Sequence, residues 1–239
     1  MNLKNKVAIV TGASQGIGLA FCRALIEKGV AVYGLARNPE KLDTASTALG
    51  ESFHGLPCDV GDVDKVTKTI QDIVAEAGRI DILVNNAGIG FFASIESMST
   101  QDWGRLMSTN VDGVFFCTRV VVPVMKAQNK QDGFGGHIVN ISSVAGLIGN
   151  PSLSGYNLTK FGLRGFSDAL MKELRYDGIK VSGIYPGSVA TEFIQGGAEA
   201  GEWKVQPDEI ADTLIHILEM PDNNLISDVV IRPLRPPRG

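Results

Sequence analysis

Apolar residues come in short unbroken runs, separated by longer stretches in which they recur every three to four positions. The first run, residues 7–10, ends in Thr11-Gly12, and a helical pattern follows over residues 16–28 with Gly29 as its stop. Runs at residues 30–35, 53–57, 82–84, 136–141, 181–184 and 226–231 predict six more strands. Helices are predicted from about Pro39, over 62–77 up to Gly78, as a pair over 100–127, over 155–176 up to Gly178, and from Pro207. Strands that are apolar throughout are buried on both faces. Their regular alternation with helices makes a parallel sheet with right-handed crossovers. The expected fold is α/β: a single doubly wound domain over residues 1–239, with a mostly parallel seven-stranded sheet and helices on both faces. Residues 130–136 and 188–206 read as irregular. The second stretch is long for a connection and is expected to be a substrate lid. Residues 232–239, Arg-Pro-Leu-Arg-Pro-Pro-Arg-Gly, are expected to be a flexible tail.

Composition narrows the classes. The chain has 239 residues, 44% hydrophobic and 20% charged, with a net charge of −4, enough for one large core without staples. No basic stripe invites nucleic acid or an anionic membrane. Cys22, Cys58 and Cys117 are widely spaced with no CxxC pair, so they read as small buried apolar residues rather than as disulfide or zinc ligands. His54, His137 and His216 are scattered, and no metal site is expected. No stretch of roughly 18 apolar residues exists to span a membrane, and residues 1–6 lack the apolar centre of a signal peptide, so a cytoplasmic location is expected.

The turn Thr11-Gly12-Ala13-Ser14-Gln15-Gly16-Ile17-Gly18 joins the first strand to the first helix. Glycines there let backbone approach a pyrophosphate at a helix N-terminus, the arrangement of a Rossmann-like nucleotide site, although the spacing is Gly-x3-Gly-x-Gly rather than GxGxxG. The second strand ends in Arg37-Asn38. A site for NAD(H) places an acid at this point to bind the ribose hydroxyls, and none occurs before Glu40. Arg37 suits a 2′-phosphate instead, so NADP(H) is the expected cofactor.

Tyr156 and Lys160 stand at i and i+4 inside a helical pattern and share a face. Tyr176 and Lys180 repeat the spacing, but Gly178 interrupts them. A phenol that exchanges a proton near neutral pH needs its pKa of about 10 lowered, and a fixed ammonium, together with the positive nicotinamide ring, favours the phenolate. Ser143 follows the fifth strand, where strand C-termini line the ligand crevice. By residue type alone it reads as a cap or turn serine.

These pieces, with Asp59, Asn85-Asn86-Ala87-Gly88, Asn110, Pro186-Gly187 and Thr191, occur in an order that resembles the short-chain dehydrogenase/reductase family across most of the chain. The resemblance implies an oxidoreductase in which Asn110, Ser143, Tyr156 and Lys160 are catalytic. Ser143 holds the substrate oxygen, Tyr156 exchanges the proton, and Asn110 kinks its helix and holds a water that relays protons to Lys160. The cofactor would lie against Gly12, Ser14, Gln15, Gly16, Ile17, Gly18, Arg37 and Asn38. Asp59 and Val60 would take the adenine edge, and Asn86, Ala87 and Gly88 the adenosine ribose. Lys160 would bind the nicotinamide ribose hydroxyls, and Tyr156, Pro186 and Gly187 would also lie against the cofactor. The Val189 backbone and the Thr191 hydroxyl would hold the carboxamide. The substrate would be a small carbonyl compound or alcohol.

A homodimer or homotetramer is implied as well, for which residues 115–116 and 120–124 offer an apolar helix face. Phe91, Phe92 and Trp103 could line the site mouth, and Phe193, Ile194 and Trp203 lie in the lid stretch. Three other readings stay open: a 3-oxoacyl-acyl-carrier-protein reductase, a nucleotide-sugar epimerase or dehydratase, and a catalytically silent NADP(H) sensor. The C-terminal residues 226–231 lack the glycine-rich ending of the first, and too little chain follows Pro186 for the second. Retention of all four catalytic residues argues against the third.

Overall fold

The computed structural model describes residues 1–191, 193 and 203–237. Seven strands, β1 (Val7–Thr11), β2 (Ala31–Ala36), β3 (Phe53–Pro57), β4 (Ile82–Asn85), β5 (Gly136–Ile141), β6 (Ile179–Pro186) and β7 (Asp228–Ile231), form one sheet. Their order is β3-β2-β1-β4-β5-β6-β7. Every pairing is parallel, including the last, β6 with β7. Strand order reverses between β1 and β4, which opens a crevice at the C-terminal edge there.

Helices cover both faces. On one lie α1 (Gly16–Glu27), α2 (Pro39–Leu49) and α7 (Pro207–Glu219), packed on a core that includes Ala8, Val10, Phe21, Leu25 and Leu214. On the other lie α3 (Val63–Ala77), α5 (Gly113–Asp132) and α6 (Ser154–Leu174), over Ile9, Leu35, Ile70, Val121 and Leu170. The short α4 (Thr100–Met107) precedes α5. Unbroken burial along β1, β4, β5 and β6 explains their lack of alternation. Local chemistry sets the helix ends. Asn38, Asp62 and Ser99 cap α2, α3 and α4 by accepting a backbone N–H, and Gly78 ends α3 in the left-handed conformation.

Three sequence boundaries move. α5 runs to Asp132 and is stopped by the left-handed Gly133, so residues 130–132 of the expected irregular stretch 130–136 are helix. β6 begins at Ile179, which puts Lys180 in a strand and leaves Tyr176 in a short 3-10 turn, 92% exposed. That second Tyr/Lys pair is not held together. The last strand is shorter than expected, because only residues from Asp228 register with β6. All three cysteines are buried and unpaired. Among the described residues no helix is long and apolar enough to cross a membrane, and no group of His, Cys, Asp and Glu could hold a metal.

Candidate active site

The glycine turn sits at the switch point and is clamped to β4. Thr11 Oγ1 donates to the Val84 carbonyl (3.3 Å) and accepts from the backbone N–H of Asn86 (3.0 Å) and Ala87 (2.9 Å). Asn86 answers through Nδ2, which donates to the carbonyls of Thr11 (2.9 Å) and Gly12 (3.3 Å). The Asn86 amide and the Ala87 N–H, expected to face a ribose, are therefore turned onto the strand that carries the turn. Thr11 was not singled out as a site residue. Its signal was present in the Thr-Gly pair that ends the first apolar run.

The turn packs on itself. Gly12 has φ +67 and Gly16 φ +56. A Cβ on Gly18 would strike the Gly12 carbonyl oxygen and lie 2.6 Å from Asn86 Nδ2, so only hydrogen fits there. Ser14 and Ile17 are half-buried within the turn. Gln15, the residue before α1, makes no side-chain cap bond. Among the described residues no side chain caps the first-turn N–H groups of α1, at the positive end of the helix. A backbone cradle of this kind fits the pyrophosphate of a dinucleotide.

Arg37 is exposed just beyond β2, and among the described residues it pairs with no carboxylate. Asn38 spends its side chain capping α2, where Oδ1 accepts from Lys41 N (2.9 Å). Asp59 is half-buried, and its Oδ1 accepts from Gly61 N (3.0 Å). Val60 is buried. On the far side, Gly187 N donates to the Ile231 carbonyl (2.7 Å) just after Pro186. Val189 pairs with Val205, which closes the base of the expected lid. Thr191 packs its methyl over Gly16, with Cγ2 3.4 Å from the position of a Cβ there. The Phe193 ring meets the Tyr156 ring tilted by 54°, with centroids 5.9 Å apart. Ile194 lies outside the described residues.

The four expected catalytic residues come together beside this cradle. A π-helical turn at Ser108–Asp112 joins α4 to α5 and contains Asn110. It joins the two helices into one continuous, bulged helix. Asn110 Oδ1 accepts from Ile89 N (2.8 Å), while Nδ2 donates to Ile89 O (2.9 Å) and to Thr159 Oγ1 (3.2 Å). Its side-chain amide is a splint between the loop after β4 and α6. Gly88 lies in the same corner, its missing Cβ 3.5 Å from Asn110 Oδ1 and 3.6 Å from Lys160 Nζ.

Ser143 is a turn cap: its Oγ accepts from Ala145 N (3.1 Å) at the start of a 3-10 turn. Its hydroxyl also lies near enough to the Tyr156 phenol to draw the phenol's pKa down. Ser142 points away and donates to the Lys160 carbonyl (3.1 Å). Lys160 Nζ donates to the Ile141 carbonyl at the end of β5 (2.9 Å) and stands 5.7 Å from the Tyr156 ring centroid.

Burial dominates the electrostatics. It pushes the Tyr156 phenol up to about 12, against the pull of the nearby Ser143 hydroxyl. It pushes the Lys160 ammonium down to about 8. For Tyr156 the cost of removing a phenolate from water sets the direction, and the nearby Ser143 hydroxyl opposes it. Each group alone is held towards its neutral form.

The family model described as short chain dehydrogenase matches residues 6–200. The chain is 32% identical to an uncharacterized oxidoreductase of Staphylococcus haemolyticus, over 97% of this chain and 99% of that one. Among solved structures it superposes on a metagenomic short-chain oxidoreductase in complex with NADP, with a TM-score of 0.84 and 33% identity over 98% of this chain and 100% of the other. It also superposes on a 3-ketoacyl-(acyl-carrier-protein) reductase from Brucella melitensis complexed with NADH, with a TM-score of 0.91 and 25% identity over 98% and 99%.

Proposed function

The chain belongs to the short-chain dehydrogenase family, and from that premise we propose that it interconverts a ketone or aldehyde and an alcohol, with NADP(H) as hydride carrier and Tyr156 as proton donor and acceptor. The observation that carries the reading is the meeting of Ser143, Tyr156 and Lys160 at the C-terminal edge of β5, beside the glycine cradle. A bound dihydronicotinamide supplies the hydride that the carbonyl carbon receives.

The remaining work falls to the chain. Ser143 positions the substrate oxygen. Tyr156, protonated at neutral pH because burial raises its pKa, gives that oxygen its proton. Lys160 holds positive charge close to the phenol as the proton leaves. In the oxidative direction the same atoms run in reverse, and Tyr156 takes the alcohol proton. Arg37, exposed and unpaired with any described carboxylate, supports NADP(H) over NAD(H).

The test is NADPH oxidation across a panel of ketones and 3-oxo esters, with NADH in parallel. Turnover with NADPH preferred is expected, together with a loss of about a thousandfold in Tyr156→Phe while NADPH binding persists. Unchanged turnover in that variant would sink the assignment. Saturable NADPH binding with no turnover on any substrate would favour a sensor. Turnover confined to the 3-oxo esters would favour an acyl-carrier-protein substrate.

We also propose a homodimer or homotetramer. Val111 and Phe115 are exposed one helical turn apart, and Leu158 and Phe161 are exposed on α6, which packs against the same π-helical turn. An apolar surface shared by two adjacent helices suits a second copy of this chain. Phe115→Glu with Phe161→Glu is expected to lower the mass measured by light scattering, and an unchanged mass would rule this face out.

A further inference from the structure

We propose that Lys41 is a second reader of the cofactor's 2′-phosphate, held over the glycine turn by Gln15. The inference rests on the NADP(H) reading above and adds a residue and a mechanism to it. Lys41 lies in the first turn of α2, and its backbone N–H is tied to Asn38 Oδ1 (2.9 Å). From there its Nζ reaches across to donate to Gln15 Oε1. The glycine turn is in turn fixed to the end of β2, because the N–H groups of Gly12 (2.8 Å) and Ala13 (3.2 Å) both donate to the Leu35 carbonyl. Two loops from different strands are thereby held as one rim, with Arg37 two residues beyond Leu35 on that rim.

The hydrogen-bond polarity of the rim follows from its contacts. Once Oε1 of Gln15 accepts from Lys41, the part of its amide left for a ligand is the NH2 group, which only donates. Lys41 and Arg37 offer further N–H donors, both carrying positive charge. Among the described residues neither is paired with a carboxylate, on a chain of net charge −4. The nearest opposing charge in sequence is Glu40, exposed in the same first turn of α2. Two cations and an amide donor against one carboxylate suit a dianionic phosphate better than a pair of ribose hydroxyls. A neutral hydroxyl gains little from an ammonium, so the contribution of Lys41 is specific to the phosphate.

The test measures binding in solution, apart from turnover. Adenosine 2′,5′-bisphosphate and 5′-AMP are titrated into the protein by calorimetry, at low and moderate salt. Lys41→Gln is expected to weaken the bisphosphate about tenfold, the scale of one charge-assisted hydrogen bond, and to leave 5′-AMP unchanged. Lys41→Arg should keep most of the affinity. Gln15→Ala, which frees Lys41, should lose part of the same discrimination.

Three outcomes overturn the inference. If Lys41→Gln weakens neither nucleotide while Arg37→Gln still weakens the bisphosphate, Lys41 is not a reader and the NADP(H) reading stands. If Lys41→Gln weakens both nucleotides equally, the residue only shapes the turn. If the unaltered protein binds the two nucleotides equally, the NADP(H) reading itself fails and takes this inference with it.

Discussion

The side-chain amide of Asn110 donates to the hydroxyl of Thr159 at 3.2 Å, and that hydroxyl donates onward to the Tyr156 carbonyl at 2.8 Å. The chain of contacts begins at the Ile89 backbone, which uses both its N–H and its C=O on Asn110. The loop after β4 is thus locked in register with the first turns of α6, where Tyr156 and Lys160 stand.

Thr159 follows as a positioning residue. Valine matches its shape and lacks its hydroxyl, so Thr159→Val leaves the Tyr156 carbonyl and one Asn110 N–H without this partner. The stability cost is about 1–2 kcal/mol. The expected kinetic signature is a drop in kcat of about tenfold, with KM for NADPH within about twofold, because small displacements at reacting groups act on the chemical step. Thr159→Ser should restore kcat. Steady-state kinetics on the three proteins decide it: an unaltered kcat in Thr159→Val would leave Thr159 a purely structural residue.

The opposed shifts of Tyr156 and Lys160 set a pH profile. With its pKa pushed up to about 12, the phenol stays protonated through the neutral range. Lys160, pushed down to about 8, loses its charge above that pH. For the reductive direction, kcat/KM should be level below about pH 8 and fall above it. In Lys160→Arg the guanidinium remains charged, so the residual rate should stay level through pH 9. A break near 8 that survives in Lys160→Arg would assign the titration to another group.

Sequence reading reached the sheet and the centre of the site for physical reasons. Strands buried on both faces write their position as uninterrupted apolar runs, and Gly78 and Gly178 mark ends because the left-handed conformation selects for them. Tyr156 and Lys160 were legible as a pair because a helix puts i and i+4 on one face. What was missed depends on contacts between segments distant in sequence. Thr159 to Asn110 spans 49 positions and Lys41 to Gln15 spans 26, and no periodicity encodes either. The π-helical turn was invisible for a related reason. One extra residue per turn disturbs the apolar period too little to separate it from an ordinary helix junction. The upward push of burial on Tyr156 was not legible either, because burial is known only once the fold is.

Two glycine-to-alanine changes should diverge. At Gly18 the new methyl meets the Gly12 carbonyl and the Asn86 amide, so Gly18→Ala must shift the turn that forms the anion cradle. Nucleotide affinity is expected to fall by at least tenfold, with a lower melting temperature, given the usual cost of overpacking of about 1–3 kcal/mol. Gly104 lies inside α4 with nothing within 4 Å of its missing Cβ. Gly104→Ala should raise stability by about 0.5–1 kcal/mol and leave nucleotide binding unchanged. Calorimetric titration and thermal melts of both variants test this, and intact affinity in Gly18→Ala would remove the cradle from the cofactor site.

His137 supplies a pH dependence of stability. It lies on β5, fully enclosed, with Nε2 2.8 Å from Ser182 Oγ on β6. Burial pushes its pKa down to about 3, helped by the positive charges of Lys180 and the terminal ammonium. In the unfolded chain an ordinary histidine takes up its proton near pH 6.5. Between pH 6.5 and about 3 the unfolded state therefore binds the extra proton and the folded state does not. The contribution of His137 to stability is complete above pH 6.5 and is lost as pH falls towards 3. At about 1.4 kcal/mol per pH unit the loss is roughly 3 kcal/mol by pH 4. His137→Gln can still hydrogen-bond Ser182 but takes no proton, so its melting temperature should fall less between pH 7 and 4 than that of the unaltered protein. The carboxylates shared by the two proteins cancel in that comparison. Parallel melting curves across the range would show that His137 is protonated within the fold, and that its environment is wetter than this structure makes it.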